Sequence, residues 1–167
     1  SNRGTGDAID FLNGHHGVIE QSTAASSSGF GILLLNSADN TVRDDYIQGA
    51  TGLRLSGATR TSVLRSRLIA TVLAGNGLYH TSGQDAFVSS CVVTGGGGGH
   101  ALYFQGESNS TVRLASVTVL GGWRGVTVDP LNGGPISNFG VRASSIAILG
   151  PMAVNAIAVN FGAGTVV

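Results

Sequence analysis

Apolar residues alternate with small or polar ones in short bursts along this chain, and the bursts recur. Five segments share one form, a small residue followed by apolar-X-apolar: Gly31-Ile32-Leu33-Leu34, Gly52-Leu53-Arg54-Leu55, Gly77-Leu78-Tyr79-His80, Ala101-Leu102-Tyr103-Phe104 and Gly125-Val126-Thr127-Val128. Their first apolar residues are 21, 25, 24 and 24 residues apart. Between them lies a second, more polar unit, Asp39–Gly49 (DNTVRDDYIQG), with copies at Thr61–Ala70, Ala86–Gly95, Ser110–Gly121 and Gly140–Gly150. Weaker copies of the leading segment begin at Ile9 and Ile157. Period-two alternation in short segments rich in Val, Ile, Leu and Thr predicts strands. No window offers a capped run of helical periodicity.

A strand of this length cannot bury an apolar face alone, but copies stacked at a fixed period bury a continuous core. The expected fold is all-β: a right-handed, single-stranded parallel β-helix of roughly six to seven coils, each of ~21–31 residues. Residues 1–167 form one domain, a rod about 30 Å long at the strand spacing of ~4.8 Å. Pro130–Pro135 (PLNGGP) reads as an inserted loop. Neither end carries a cap: strand character begins near Ser1 and returns in Ala163–Val167. Open ends expose unpaired edges, so the chain is expected to be a segment of a longer protein, or to have its ends covered by flanking domains or partner chains.

Strand alternation fixes a register. Ile32/Leu34, Leu53/Leu55, Leu78/His80, Leu102/Phe104 and Val126/Val128 should point inward. The outward columns are then Asp10, Leu33, Arg54, Tyr79, Tyr103, Thr127 and Leu12, Leu35, Ser56, Thr81, Gln105, Asp129. Ala8, Gly31, Gly52, Gly77, Ala101 and Gly125 make a column of small residues. In the second unit the inward column reads Val18, Val42, Val63, Phe87, Val112, Val141, with Glu20, Asp44, Arg65 and Ser89 outside. Thr41, Ser62 and Thr111, near Asn40 and Asn109, are expected to satisfy one another's hydrogen bonds at the corners.

Composition narrows the function classes. Apolar residues are 42% and charged residues 11%, and 27 of 167 residues are Gly, without a collagen period. Nine basic residues, all Arg, balance nine acidic ones, which argues against phosphate-driven nucleic-acid binding. No apolar run reaches membrane-spanning length. The single cysteine, Cys91, stands where another copy has Arg67 and reads as an ordinary thiol. Gly95–Gly99 reads as a flexible corner; it lacks the Lys-Ser/Thr and helix of a phosphate-binding loop.

The Asn-Thr-Val/apolar/Gly unit of Asn40–Gly49, its copies, and the Gly-apolar-X-apolar strands resemble the pectate-lyase-like superfamily of right-handed parallel β-helices, over roughly Gly6 to Val159. That superfamily includes polysaccharide lyases, polygalacturonases, epimerases, adhesins and bacteriophage tailspikes. The enzymes' signatures are absent: Asp44-Asp45 lacks its partners, and Gly83-Gln84-Asp85 and Gly99-His100-Ala101 are partial echoes. A tailspike-like or tail-fibre β-helix survives those absences best. The resemblance implies a polysaccharide partner, a homotrimer, and a virion-tail or secreted, extracellular location. No cofactor or metal is implied.

Several residues stand out as sites. Arg54, Tyr79 and Tyr103 stack on consecutive coils beside Gln105; aromatic faces with a planar cation suit sugar rings. A covering loop or second subunit would suit the same tyrosines. Glu20, Asp44 and Asp129 are the candidate catalytic carboxylates, Glu20 and Asp44 being read as stacked about 5 Å apart, where a pair can serve as acid and nucleophile or base in glycoside hydrolysis. Arg65 against Asp44 makes the same residues a surface charge ladder, and Asp10–Arg54 and Asp39–Arg60 are similar ladders. His15-His16 face opposite ways and make a poor metal pair; His80 reads as a core histidine. Asn109-Ser110-Thr111 matches a glycosylation sequon, and Trp123 serves either a sugar or the end of the apolar column. Three functions remain open: a polysaccharide-binding shaft that does or does not depolymerise its ligand, a secreted pectin- or alginate-type lyase or hydrolase, and a structural adhesin rod.

Overall fold

A computed structural model describes residues 6–106 and 109–129, together with the strand backbones Gly140–Ala143, Ile146–Leu149 and Ile157–Phe161. The inserted loop expected at Pro130–Pro135 and the apolar tail Ala163–Val167 lie outside the described residues. All described regular structure is β-strand, in three parallel sheets of seven, six and six strands. Chain order and sheet order agree throughout, so each coil adds one strand to each sheet.

Sheet A holds Ile9–Leu12, Phe30–Leu35, Thr51–Ser56, Leu78–Thr81, His100–Gln105, Arg124–Asp129 and Ile157–Phe161. Sheet B holds Val18–Glu20, Thr41–Arg43, Thr59–Leu64, Gln84–Ser89, Thr111–Ala115 and Gly140–Ala143. Sheet C holds Thr23–Ala25, Tyr46–Gly49, Arg67–Ala70, Val92–Thr94, Val117–Leu120 and Ile146–Leu149.

Sheet A has the expected register at every step. Asp10 pairs with Leu33, Leu33 with Arg54, Arg54 with Tyr79, Tyr79 with Tyr103 and Tyr103 with Thr127. The inward residues Ile32, Leu34, Leu53, Leu55, Leu78, His80, Leu102, Phe104, Val126 and Val128 are all buried and fill the core with the inward side chains of the other sheets. Thr127 departs from its outward column by being fully buried.

Sheet B corrects the sequence reading. Its inward column is Ile19, Val42, Val63, Val88, Leu114, with Ala143 next in register. Val18 and Phe87 face outward and are exposed, Val112 pairs with Ala86, and Val141 pairs with Val112. The cause is local. Asp39 lies two residues before its strand, and Arg60 and Asp85 are the second residues of theirs, all in the left-handed region at φ of 57°, 49° and 52°, and each left-handed residue resets which side chains face the core. Hydrophobicity alone does not reveal that reset.

The corners rest on further left-handed columns. Asn13, Asn36, Gly57, Ser82 and Gly106 turn the chain from sheet A to sheet B, and Gln21, Asp44, Arg65, Ser90 and Ser116 turn it from B to C. Backbone bonds join one coil to the next at both, such as Asn36 N–H to Ser56 O at 2.8 Å and Asp44 N–H to Leu64 O at 3.1 Å. The corner side chains Asn40, Asp45, Ser66 and Ser110 bond to the backbone. They accept from backbone N–H groups of adjacent coils: Asn40 Oδ1 from Gly17 (2.8 Å), Asp45 Oδ1 from Ser22 (2.7 Å), Ser66 Oγ from Asp45 (3.2 Å) and Ser110 Oγ from Asp85 (2.9 Å). Cys91 is buried in this same column, linked by backbone bonds through Val92 to Ser66, while Arg67 pairs with Val92. Burial pushes the Cys91 thiol up, in keeping with an inert group.

Gly95–Gly99 is a stacked corner held by close backbone approach. Gly96 N–H donates to Gly75 O at 2.9 Å and Gly98 N–H to Leu73 O at 2.7 Å. A Cβ on Gly99 would sit 2.0 Å from Gly75 O, which no side chain tolerates.

Candidate functional site

The outer face of sheet A carries a continuous row of rings and guanidinium groups. The Arg54 guanidinium lies 4.9 Å from the Phe30 ring and 5.2 Å from the Tyr79 ring. Tyr79 stacks on Tyr103 with centroids 5.1 Å apart and planes 11° from parallel. His100 stacks on the other face of this cluster, 4.4 Å from Tyr103, and approaches Trp123 at 6.0 Å. Arg124 closes the row with its guanidinium 3.9 Å over the Trp123 ring. The row spans five coils, about 20 Å along the axis.

Parallel register produces this row directly. Strand neighbours sit ~4.8 Å apart, close to the preferred offset-stacking distance of aromatic rings. Side chains in one outward column therefore meet ring face to ring face. Polar groups tie the row further: the Tyr79 hydroxyl donates to Gln105 Oε1, Gln105 Nε2 donates to the Tyr103 hydroxyl at 3.0 Å, and His100 Nδ1 lies 2.8 Å from Thr127 Oγ1. Burial, reinforced by the Asp129 carboxylate, pushes the Tyr103 phenol up to about 12. Burial and the Arg124 charge hold His100 below the ordinary histidine range.

This geometry changes the expectation for Arg54, Tyr79, Tyr103 and Gln105. The structure brings all four together, as the register predicted. The tyrosine faces are spent on each other and on their cationic and imidazole neighbours, so what this half-buried face offers outward is ring edges, hydroxyls, an amide and guanidinium groups.

The three candidate carboxylates do not converge. Glu20 is in register with Arg43, whose Nε donates to Glu20 Oε2 at 2.7 Å. Asp44 stands one residue further on, at the left-handed corner, where Arg65 donates through Nε and Nη2 at 2.7 Å each. That partner holds the Asp44 carboxyl below the usual range. The expected column of Glu20, Asp44, Arg65 and Ser89 is thus two columns: Glu20–Arg43–Leu64–Ser89 on the strand and Asp44–Arg65 at the corner. Asp129 lies on sheet A beside Gln105, next to the ring row.

The remaining candidates resolve similarly. Asp39 and Arg60 form a two-bond ion pair at 2.6 and 2.7 Å. Asp10 faces Leu33, and its carboxyl is raised by desolvation and a hydrogen bond with Asp7, so no Asp10–Arg54 ladder forms. His80 is fully buried, with Nε2 3.1 Å from Ala58 O and its ring edge-on to Phe104. His15 bridges Ala38, and His16 adopts a left-handed turn conformation. Among the described residues no group of three His, Cys, Asp or Glu side chains comes together to hold a metal ion.

Sequence reasoning missed the role of Phe30, His100 and Arg124 in the row, and it assigned Phe87 to the core. It also passed over Arg113, which lies outward on sheet B between Phe87 and Arg142 in register. The signal was present: Thr111-Val112-Arg113 has the letters of Thr41-Val42-Arg43. In the structure the two triplets sit two columns apart, because Thr41 aligns through Ser62 and Phe87 with Arg113.

A family model for the right-handed β-helix region matches residues 2–133. No curated protein and no solved structure matches the chain.

Proposed function

We propose that this chain, which belongs to the right-handed β-helix family, is a binding rod for polysaccharide, with the glycan lying along the axis over sheet A. The observation that carries this reading is the unbroken row of half-buried Arg54, Tyr79, Tyr103 and Gln105, whose edges and polar groups face outward on consecutive coils. A repeating ligand suits a repeating surface, and hydroxyl-rich sugars match a row of alternating donors and acceptors. Binding is favoured over cleavage because Glu20 and Asp44 are each held by an arginine, on a different face from Asp129. A tailspike-like shaft in a phage tail is the setting that this composition and repeat suggest, and a secreted lyase or hydrolase is the enzymatic alternative. Trimer formation would use the outward apolar residues Leu12, Leu33 and Leu35 at one end of sheet A.

A purely structural rod is the second reading. Its support is that the tyrosine faces are already occupied within the chain.

The test is binding to a panel of bacterial-surface and plant polysaccharides, with reducing ends and unsaturated products followed in the same samples. Binding that weakens about tenfold in Gln105→Ala, with no product released, supports the proposal. Released reducing ends alone would make the protein a hydrolase and put Asp129 first among the carboxylates. Unsaturated products would make it a lyase. Absence of binding throughout the panel would leave the structural rod.

A further inference from the structure

The outer face of sheet B carries a groove of about 420 Å³ lined by Arg60, Ser62, Asp85, Phe87, Thr111 and Arg113. Ligand pockets for small molecules typically enclose about 300–1,000 Å³. Its floor is the outward column in which Thr41, Ser62, Phe87 and Arg113 succeed one another from coil to coil. We infer that this groove binds an anionic sugar unit, one carrying a carboxylate or a sulfate, at a site separate from the row on sheet A.

Four features converge on that chemistry. Arg113 is exposed and makes no hydrogen bond or ion pair among the described residues. Its register neighbours are Phe87 and Arg142, so the column supplies it with no carboxylate and sets another arginine in the next position. The contrast with Arg43, Arg60 and Arg65 is direct, since each of those has an acid in the adjacent coil.

Phe87 supplies an apolar surface. It is 37% exposed and is the one aromatic residue in the described strands of sheet B. An exposed ring in a polar groove suits the C–H face of a sugar. Acceptors and hydroxyls complete the lining. Asp85 is exposed and uses Oδ1 to accept the Thr111 N–H at 2.8 Å. Ser62 and Thr111 bring hydroxyls that donate or accept. Arg60 spends Nε and Nη2 on Asp39 and retains Nη1. A guanidinium for the anionic group, a ring for the C–H face, and hydroxyls with a carboxylate for the sugar hydroxyls make up the recognition set for an acidic glycan.

The experiment is titration calorimetry with three oligosaccharides of equal length: an oligogalacturonate, a sulfated heparin-type fragment and a neutral cello-oligosaccharide. At least one anionic probe should bind about tenfold or more tightly than the neutral one, with affinity falling as salt rises. The tighter of the two anionic probes identifies carboxylate or sulfate as the group read. Arg113→Gln should weaken that binding about tenfold, and Phe87→Ala should weaken it several-fold. Arg67→Gln, on sheet C, should leave it unchanged. Both groove side chains are exposed, and unchanged circular dichroism and melting would establish that the variants fold. Equal binding of neutral and anionic probes, no anionic binding, or full affinity in Arg113→Gln would overturn the inference. Anionic binding lost in Gln105→Ala and kept in Arg113→Gln would also overturn it, while supporting the sheet A reading. The converse pattern would separate the two sites.

Discussion

Sheet A and sheet B stack at the same ~4.8 Å spacing, and their outer faces have opposite characters. On sheet A, like meets like: rings and guanidinium groups succeed one another and satisfy each other within the chain. On sheet B the outward column runs Val18, Thr41, Ser62, Phe87, Arg113, and beyond the hydroxyl pair Thr41–Ser62 no member is chemically matched to the next. A solenoid repeats its backbone whatever the sequence. Whether it closes its surface depends on whether side chains also repeat. Where they do, the face contributes to stability; where they do not, it leaves groups unpaired for a ligand.

The largest test of this contrast removes one ring from each face. Tyr103→Ala takes out the member shared by Tyr79 and His100 and frees the Gln105 amide. It should cost about 2–3 kcal/mol, less than a fully buried aromatic and more than a surface residue. Phe87→Ala should cost under about 1 kcal/mol. Chemical denaturation of both variants measures the difference. Equal costs would mean that the row on sheet A adds no stability, and the contrast would fail.

The sequence disclosed sheet A and misread sheet B for one physical reason. Leading strands begin after a small residue and alternate strictly, so Leu33, Arg54, Tyr79 and Tyr103 can be aligned by counting. At the start of the strands of sheet B stand Asp39, Arg60 and Asp85 in a left-handed conformation. Arginine rarely adopts it and aspartate only occasionally, and their identity alone does not announce the shift that turned Phe87 outward. Stacking was legible as proximity. That the ring faces are consumed by it was not, because the outcome depends on planes 11° from parallel rather than on column membership. The split of Glu20 from Asp44 followed from the same one-residue corner.

A smaller test uses pH. His100 has its imidazole pKa held below the ordinary 6.5 by burial and then by the Arg124 charge. The unfolded chain therefore binds the proton more readily than the folded one, and stability rises with pH across this window. The contribution is fully present above pH 6.5 and is lost as pH falls below it toward the lowered folded value. Melting temperatures at pH 7.5 and pH 5 should differ more in the native chain than in His100→Gln, with the native chain favoured at the higher pH. Among the described residues no histidine lies in a strand of sheet B, so Arg113→Gln should leave the slope unaltered. A steeper slope in His100→Gln would reverse the assignment.

The smallest test concerns the corners on either side of sheet B. The A-to-B corner is made of Asn13, Asn36, Gly57, Ser82 and Gly106, mostly residue types that accept a left-handed conformation. The B-to-C corner is made of Gln21, Asp44, Arg65, Ser90 and Ser116, with neither glycine nor asparagine. An L-residue costs about 1–2 kcal/mol in that conformation; replacing it by glycine removes that cost, and the larger unfolded-state entropy of glycine offsets part of the gain. Ser90 is exposed, at φ 54°, and its hydroxyl makes only a 3.5 Å contact with Ser89. Ser90→Gly should therefore stabilise the fold by about 0.5–1 kcal/mol. Gly57→Ala, at φ 61° and with its added Cβ 2.5 Å from Asn36 Oδ1, should destabilise it by about 1–2 kcal/mol. Opposite signs in equilibrium unfolding would establish that the B-to-C corner at Ser90 holds conformational strain that glycine spares the A-to-B corner at Gly57. A loss of stability in Ser90→Gly would show instead that the serine side chain contributes more to this corner than its backbone conformation costs.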